Sequence, residues 1–260
     1  MSLFDAIAAK FIFFPERELE FSPEQYDLEY TDLFFDTRDG VRLHGWLFPA
    51  GKDPAKEGLL IFFHGNAGNI SHRLENIKRL VQHGIPVFIV DYRGYGKSDG
   101  VITESGFYED AEAAVRHATG EMGVAGQRIV LFGRSLGGVA AVHAASVTAV
   151  AGVILEGTFN TLSDMARFAM PYLPAGLMVR GHMDSQKKIR RVLAPKLFIH
   201  GDMDEVVPLY LGKRLFEAAL PPKEFYILKG AGHNDTYLVG GKEYFSKIAG
   251  FFRRVVKREG

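Results

Sequence analysis

Gly133-Arg134-Ser135-Leu136-Gly137 decides how the rest of this chain is read. It follows an apolar, β-prone run, Arg128-Ile129-Val130-Leu131-Phe132. It precedes a run of small, helix-compatible residues, Gly138-Val139-Ala140-Ala141-Val142-His143-Ala144-Ala145. A G-x-S-x-G between a strand and a helix predicts a tight, strained turn with the serine hydroxyl held above a sheet. Glycines two residues either side leave room for the turn and for close approach of helix to strand. The same turn aims the first N–H groups of the helix at the serine, where a developing negative oxygen would be stabilised. Ser135 is therefore the candidate nucleophile and the Leu136 N–H a candidate oxyanion donor. The plainer reading is a Gly/Ser turn without chemistry, and the rest of the chain decides between the two.

Working outward, strands come first and strand–helix alternation follows. Leu28 to Phe35 and Val41 to Phe48 flank Arg38-Asp39-Gly40, and Asp-Gly between β-prone runs predicts an antiparallel hairpin. Six apolar runs without alternation come next: Leu59 to Phe63, Val87 to Val90, Ile129 to Phe132, Val153 to Leu155, Leu197 to Ile199 and Phe225 to Leu228. Such runs suit strands buried on both faces of a parallel sheet. Helices are expected over Ser71 to His83, Thr103 to Thr119, Leu209 to Leu220 and Gly241 to Lys257. The pattern predicts one α/β domain over residues 1–260, with a mostly parallel eight-stranded sheet, helices on both faces and the serine turn after the fifth strand.

One connection is long. Residues 158–194 separate the sixth and seventh strands and hold four of the seven methionines, with Pro171 and Pro174 breaking any helix. A Met-rich insertion over the catalytic edge of a sheet reads as a lid on an acyl group, since methionine adapts to varied shapes. Phe159, Leu162, Met165, Phe168, Met170 and Tyr172 are its candidate pocket residues.

Composition narrows the function classes. Lys plus Arg and Asp plus Glu both count 31, so the net charge is zero and nothing points to nucleic acid. The absence of cysteine removes disulfides and thiolate chemistry and fits a reducing, cytoplasmic setting. Residues 3–14 are apolar but interrupted by Asp5 and Lys10, too short for a span, which needs about 20 residues. An amphipathic helix capping the domain is expected there, within an N-terminal extension over residues 1–27. The alternative is peripheral membrane contact through residues 3–14. The sequence assigns no oligomeric state.

A serine hydroxyl needs a base, and that base needs an orienting carboxylate. Among nine histidines, His233 lies in the glycine-rich loop Lys229-Gly230-Ala231-Gly232-His233, just after the last strand. In an open α/β sheet, loops at the strand C-termini carry the chemistry. The loop after the seventh strand, Ile199 to Pro208, supplies three carboxylates, Asp202, Asp204 and Glu205, which the residues alone do not separate. The order serine, acid, histidine is that of hydrolases built on this kind of sheet. The turn Phe63-His64-Gly65-Asn66-Ala67-Gly68, after the third strand, should supply the second oxyanion N–H. Its glycines lack the spacing and lysine of a phosphate loop.

Together these stretches resemble the α/β-hydrolase superfamily, from about Glu29 onward. More narrowly they resemble small ABHD-type serine hydrolases and their bacterial, peptidase-like relatives. The resemblance rests on His64 to Asn69, Asp91-Tyr92-Arg93-Gly94-Tyr95-Gly96-Lys97-Ser98, Gly133 to Gly138, His200-Gly201 to Pro208, and Gly232-His233. It implies Asp204 as the acid, through the pattern H-G-x-x-D-x-x-V-P, and Asn66 as the second oxyanion donor. It further implies a serine hydrolase cleaving carboxylic esters or thioesters of a small or lipid-like acyl substrate, through an acyl-enzyme and without metal or cofactor. Peptidase or amidase action by the same triad is the alternative, and a non-catalytic binding protein of the same fold a third. Dehalogenase and epoxide-hydrolase relatives place Asp where Ser135 stands.

Overall fold

Alternation along each buried strand divides the core in two. The computed structural model describes residues 11–257. In it, Leu59, Ile61 and Phe63 point into one apolar layer while Leu60 and Phe62, between them, point into the other. Period-two alternation makes this inevitable for a strand covered on both faces.

Eight strands form the sheet: β1 (Thr31–Asp36), β2 (Arg42–Phe48), β3 (Leu59–Phe63), β4 (Val87–Asp91), β5 (Ile129–Arg134), β6 (Gly152–Glu156), β7 (Lys196–Gly201) and β8 (Lys223–Leu228). Their spatial order is β8-β7-β6-β5-β3-β4-β2-β1. β1 and β2 form the antiparallel hairpin, β2 also runs antiparallel to β4, and every other pairing is parallel. All eight expected strands are present.

Helices α1 (Leu74–Gln82) and α6 (Thr236–Val256) cover one face, through Ile77, Leu80, Ile248 and Phe252. α2 (Glu104–Gly120), α3 (Leu136–Val147) and α5 (Leu209–Ala218) cover the other, through Ala111, Val115, Val139, Val142, Leu211 and Leu215. α3 is nearly all Gly, Ala and Val and is buried on most sides, as a helix without a polar face must be. Across the sheet, Phe62 and Phe132 stack with ring centroids 4.6 Å apart.

Four helices and the N-terminal segment differ from expectation: α1 starts at Leu74, after a 3-10 turn over Ile70–Arg73, and α5 ends at Ala218 instead of Leu220. Thr103 stands outside α2 as its cap, its Oγ1 accepting the Gly106 N–H at 3.0 Å. α6 begins at Thr236, five residues early, and breaks its helical geometry at Gly241, where φ is 50°. Residues 3–10 of the expected N-terminal helix lie outside the described residues. From there, Phe11 is helical, but Phe14–Pro15 is extended and pairs in parallel with Ala67–Gly68. The aromatic run thus becomes a strap: Phe13 is buried in the core while the backbone either side bonds to the loop after β3.

Within 158–194, α4 (Leu162–Ala169) is followed by isolated turns at Ala175–Met178 and Ser185–Lys188. Among the described residues no helix is long and apolar enough to cross a membrane.

Candidate active site

Strand order sets the site. β3 has β4 on one side and β5 on the other, so the connections leaving β3 and β5 diverge and open a crevice at their C-terminal ends. Ser135 stands there, at the junction of β5 and α3, with φ 54° and ψ −120°. Three close contacts hold this strained turn. Ser135 N–H donates to Glu156 O at 2.8 Å, Thr158 Oγ1 donates to Ser135 O at 2.7 Å, and Gly137 packs on β3. A Cβ on Gly137 would stand 2.0 Å from Phe63 O, which is why the second glycine of the pentapeptide is needed.

His233 comes to the serine from the loop after β8. Its Nδ1 lies 2.8 Å from Asp204 Oδ2 and its Nε2 3.0 Å from Ser135 Oγ. A carboxylate only accepts, so the proton sits on Nδ1 and Nε2 is left to accept from the hydroxyl. Asp204, on the loop after β7, uses its other oxygen to accept the Val206 and Val207 N–H groups at 3.0 and 2.7 Å. Burial alone would raise the Asp204 pKa. Hydrogen bonds from His200, His233 and the Val207 N–H outweigh it and hold the carboxyl well below the usual carboxylate range. Of the two other carboxylates of that loop, Asp202 is turned away to accept the Gly230 N–H at 2.6 Å.

Residues that the sequence reading did not single out brace this line. Arg134 Nη2 donates to His233 O at 2.9 Å, and its Nε lies 3.4 Å from the buried Glu156. Glu156 also accepts from Thr236 and Tyr244, both at 2.5 Å. A charge closing each of two apolar strands, Arg134 at the end of β5 and Glu156 at the end of β6, was the available signal.

The loop after β3 lies against the serine, a Cβ on Gly65 falling 3.6 Å from Ser135 Cβ. Tyr92 donates to His64 O at 2.9 Å and Tyr95 to Asn66 O at 2.8 Å. The strap adds Phe14 N–H to Asn66 O at 3.0 Å, while Asn66 Nδ2 donates to Ile12 O at 3.1 Å. Leu136, first residue of α3, has an N–H with no intrahelical acceptor.

Over the serine opens a cavity of about 450 Å³, lined by Asn66, Ser135 and Leu136 at its floor. Its walls are apolar: Phe11, Ile12, Phe159, Leu162, Met165, Met170, Leu173, Met178, Val179, Val206 and Val207 among them. Four of the six expected lid residues take part. Phe168 and Tyr172 do not: Phe168 is 40% exposed and Tyr172 98% exposed, and neither lines the cavity. Helical spacing explains Phe168, because Leu162, Met165, Ala166 and Ala169 repeat along the face of α4 that meets the cavity. Tyr172 falls in the Pro171–Pro174 stretch, past the end of α4. Among the described residues no His/Cys/Asp/Glu group is arranged to hold a metal.

A family profile described as "Serine aminopeptidase, S33" matches residues 54–177. The chain is 33% identical to the α/β hydrolase domain-containing protein WAV2 of Arabidopsis thaliana, over 98% of this chain and 90% of that protein. It is 34% identical to protein bem46 of Schizosaccharomyces pombe, over 92% and 82%. An esterase of Pyrococcus furiosus superposes with a TM-score of 0.79 at 22% identity, over 94% of this chain and 98% of that one. The chain belongs to the α/β-hydrolase family. Its class is that of the hydrolases.

Proposed function

We propose that this protein cleaves carboxylic esters or thioesters of apolar acyl groups through a covalent acyl-enzyme on Ser135. The observation that carries this reading is the continuous line Asp204–His233–Ser135 opening onto an apolar cavity. Ser135 Oγ attacks the acyl carbon as its proton passes to His233 Nε2, and Asp204 stabilises the imidazolium without taking the proton. The tetrahedral oxyanion is held by the N–H groups of Asn66 and Leu136, each worth about 3 kcal/mol. The leaving alcohol or thiol takes the proton from His233. Water then repeats the sequence on the acyl-enzyme, freeing the acid.

Phe159, Leu162, Met165 and Met170 offer hydrocarbon walls, so the complementary group is an acyl chain. The matching family profile is named for an aminopeptidase, which makes amide cleavage the second reading. An α-ammonium, however, would be desolvated against these walls with no described carboxylate lining them. A peripheral membrane contact through residues 3–14 fits a lipid-like substrate, since Phe11, at the cavity edge, is 63% exposed.

The test is hydrolysis of p-nitrophenyl esters of graded acyl length, with acyl-matched anilides beside them. Wild type should turn over the esters, Ser135→Ala should lose about 10⁴-fold or more, and a fluorophosphonate should label Ser135. Full activity in Ser135→Ala would refute the mechanism. Faster anilide than ester cleavage would favour the peptidase reading.

A further inference from the structure

Beneath the loop after β3 lies a second carboxylate–imidazole array that the hydrolysis scheme does not use. Asp91, the last residue of β4, is fully buried, and so are His44 on β2 and His64 just past β3. Asp91 Oδ1 lies 3.4 Å from His64 Nε2, and Oδ2 lies 3.7 Å from His44 Nδ1. Asp91 Oδ1 also accepts the Ile70 N–H at 3.0 Å. On its outer side His44 Nε2 meets Asp32 Oδ1 at 2.6 Å. Ser98 locks the arrangement, its Oγ donating to Asp91 O at 2.7 Å and accepting the His44 N–H at 2.9 Å. Burial would push the Asp91 pKa up, but the two imidazoles outweigh it and keep the carboxyl below its ordinary value. A buried anion of this kind contributes little net stability, so its placement calls for another account.

The output of the array is at the other edge of His64. Its Nδ1 stands 2.7 Å from Gly65 O. A carbonyl oxygen only accepts, so Nδ1 donates. A ring protonated there alone would turn its bare Nε2 lone pair toward the Asp91 carboxylate, so the ring that Asp91 holds carries a proton on both nitrogens. That carbonyl belongs to the same peptide unit as the Asn66 N–H. In a trans peptide the two point in opposite directions. Pinning Gly65 O onto His64 therefore turns the Asn66 N–H the other way, out of a loop whose Gly65 abuts Ser135.

We propose that Asp91 is a positioning residue for the oxyanion side of the site. Its charge holds and polarises the His64 ring, whose Nδ1–H fixes the Gly65–Asn66 peptide so that the Asn66 N–H meets the acyl oxygen. This rests on the serine-hydrolase reading above. His233 accepts on the edge away from its carboxylate, whereas His64 donates on the edge away from Asp91, so the output here is a fixed backbone dipole and not a proton transfer.

The experiment compares wild type, Ser135→Ala, Asp91→Asn, His64→Asn and His64→Leu on one p-nitrophenyl ester. Each is also titrated with an alkyl trifluoromethyl ketone, whose hemiketal oxyanion imitates the intermediate, and with the alkyl alcohol of the same length. Asp91→Asn keeps the shape and removes the charge. It should lower kcat by about 10- to 100-fold with KM nearly unchanged. Affinity for the ketone should fall by a similar factor while that for the alcohol holds. His64→Asn, whose amide N–H can take the place of Nδ1–H, should retain more kcat than His64→Leu. A folded Asp91→Asn with wild-type kcat overturns the proposal, as does equal loss of ketone and alcohol affinity. Should Asp91→Asn fail to fold, the His64 pair decides, and equal kcat in the two overturns it. Absence of Ser135-dependent turnover in wild type would instead overturn the hydrolase reading and carry this proposal with it.

Discussion

Replacing Ser135 by glycine should leave a dead enzyme that is more stable than its alanine counterpart. At φ 54° and ψ −120°, Ser135 occupies a conformation in which a Cβ is crowded by the backbone. Holding a non-glycine residue there costs about 1–3 kcal/mol. Ser135→Ala and Ser135→Gly both lose the nucleophile and its 3.0 Å hydrogen bond to His233, so those losses cancel in the comparison. Only the alanine keeps the Cβ and the strain. Glycine's extra freedom in the unfolded chain returns about 0.5–1 kcal/mol of the gain. The net is about 1 kcal/mol in favour of glycine, which for a chain of this size is a rise in Tm of roughly 2–4 °C. Thermal unfolding followed by circular dichroism, with urea midpoints as a check, measures it. An alanine variant melting at or above the glycine variant would refute the argument, because the turn would then store no strain.

Gly137→Ala should be far more damaging, since its Cβ would sit 2.0 Å from Phe63 O and 2.6 Å from His64 O, both rigid backbone. A loss of about 3 kcal/mol in urea unfolding is expected, and esterase activity should fall with it. Asp204→Asn should lower kcat by about 10⁴. It should also change the acid limb of stability. The folded Asp204 pKa lies below that of the unfolded chain, so its contribution is present at neutral pH and declines as pH falls below about 4. Urea midpoints of wild type and variant should therefore converge toward acid pH, and a constant gap would contradict the assignment. Met165→Trp should fill part of the cavity beside α4 and shift the preferred p-nitrophenyl ester to a shorter acyl chain, with short-chain turnover little changed.

Much of this architecture was legible because it depends on local pattern. Six unbroken apolar runs, Asp39-Gly40 and the strand–turn–helix around Ser135 each report their own neighbourhood, and all eight strands are where those signals put them. The triad acid was different. Asp202, Asp204 and Glu205 are chemically alike within four residues, and the choice among them came only from a family resemblance. In the structure the backbone N–H groups of Val206 and Val207 grip Asp204 beside His233, while Gly230 claims Asp202. Contacts across large sequence separations were invisible, including His44 with Asp91 and Arg134 with His233. Phe168 and Tyr172 show the reverse error, in which apolar character was taken for orientation. The strap was missed because Phe11 to Phe14 reads equally well as the face of a helix or as an edge pairing.

That strap has a mechanical consequence. Phe14 and Glu16 donate in parallel register to Asn66 O and Gly68 O, at 3.0 and 3.3 Å. A parallel pair pulled along its strands is loaded in shear, so its bonds share the force and do not open one at a time. Tension applied to the chain ahead of Ile12 is thus delivered to the Asn66 peptide, in the loop that lies against Ser135. Turnover should register such a pull before the fold yields, which makes the segment that leads into the strap a handle for measuring how much displacement the proposed oxyanion site tolerates.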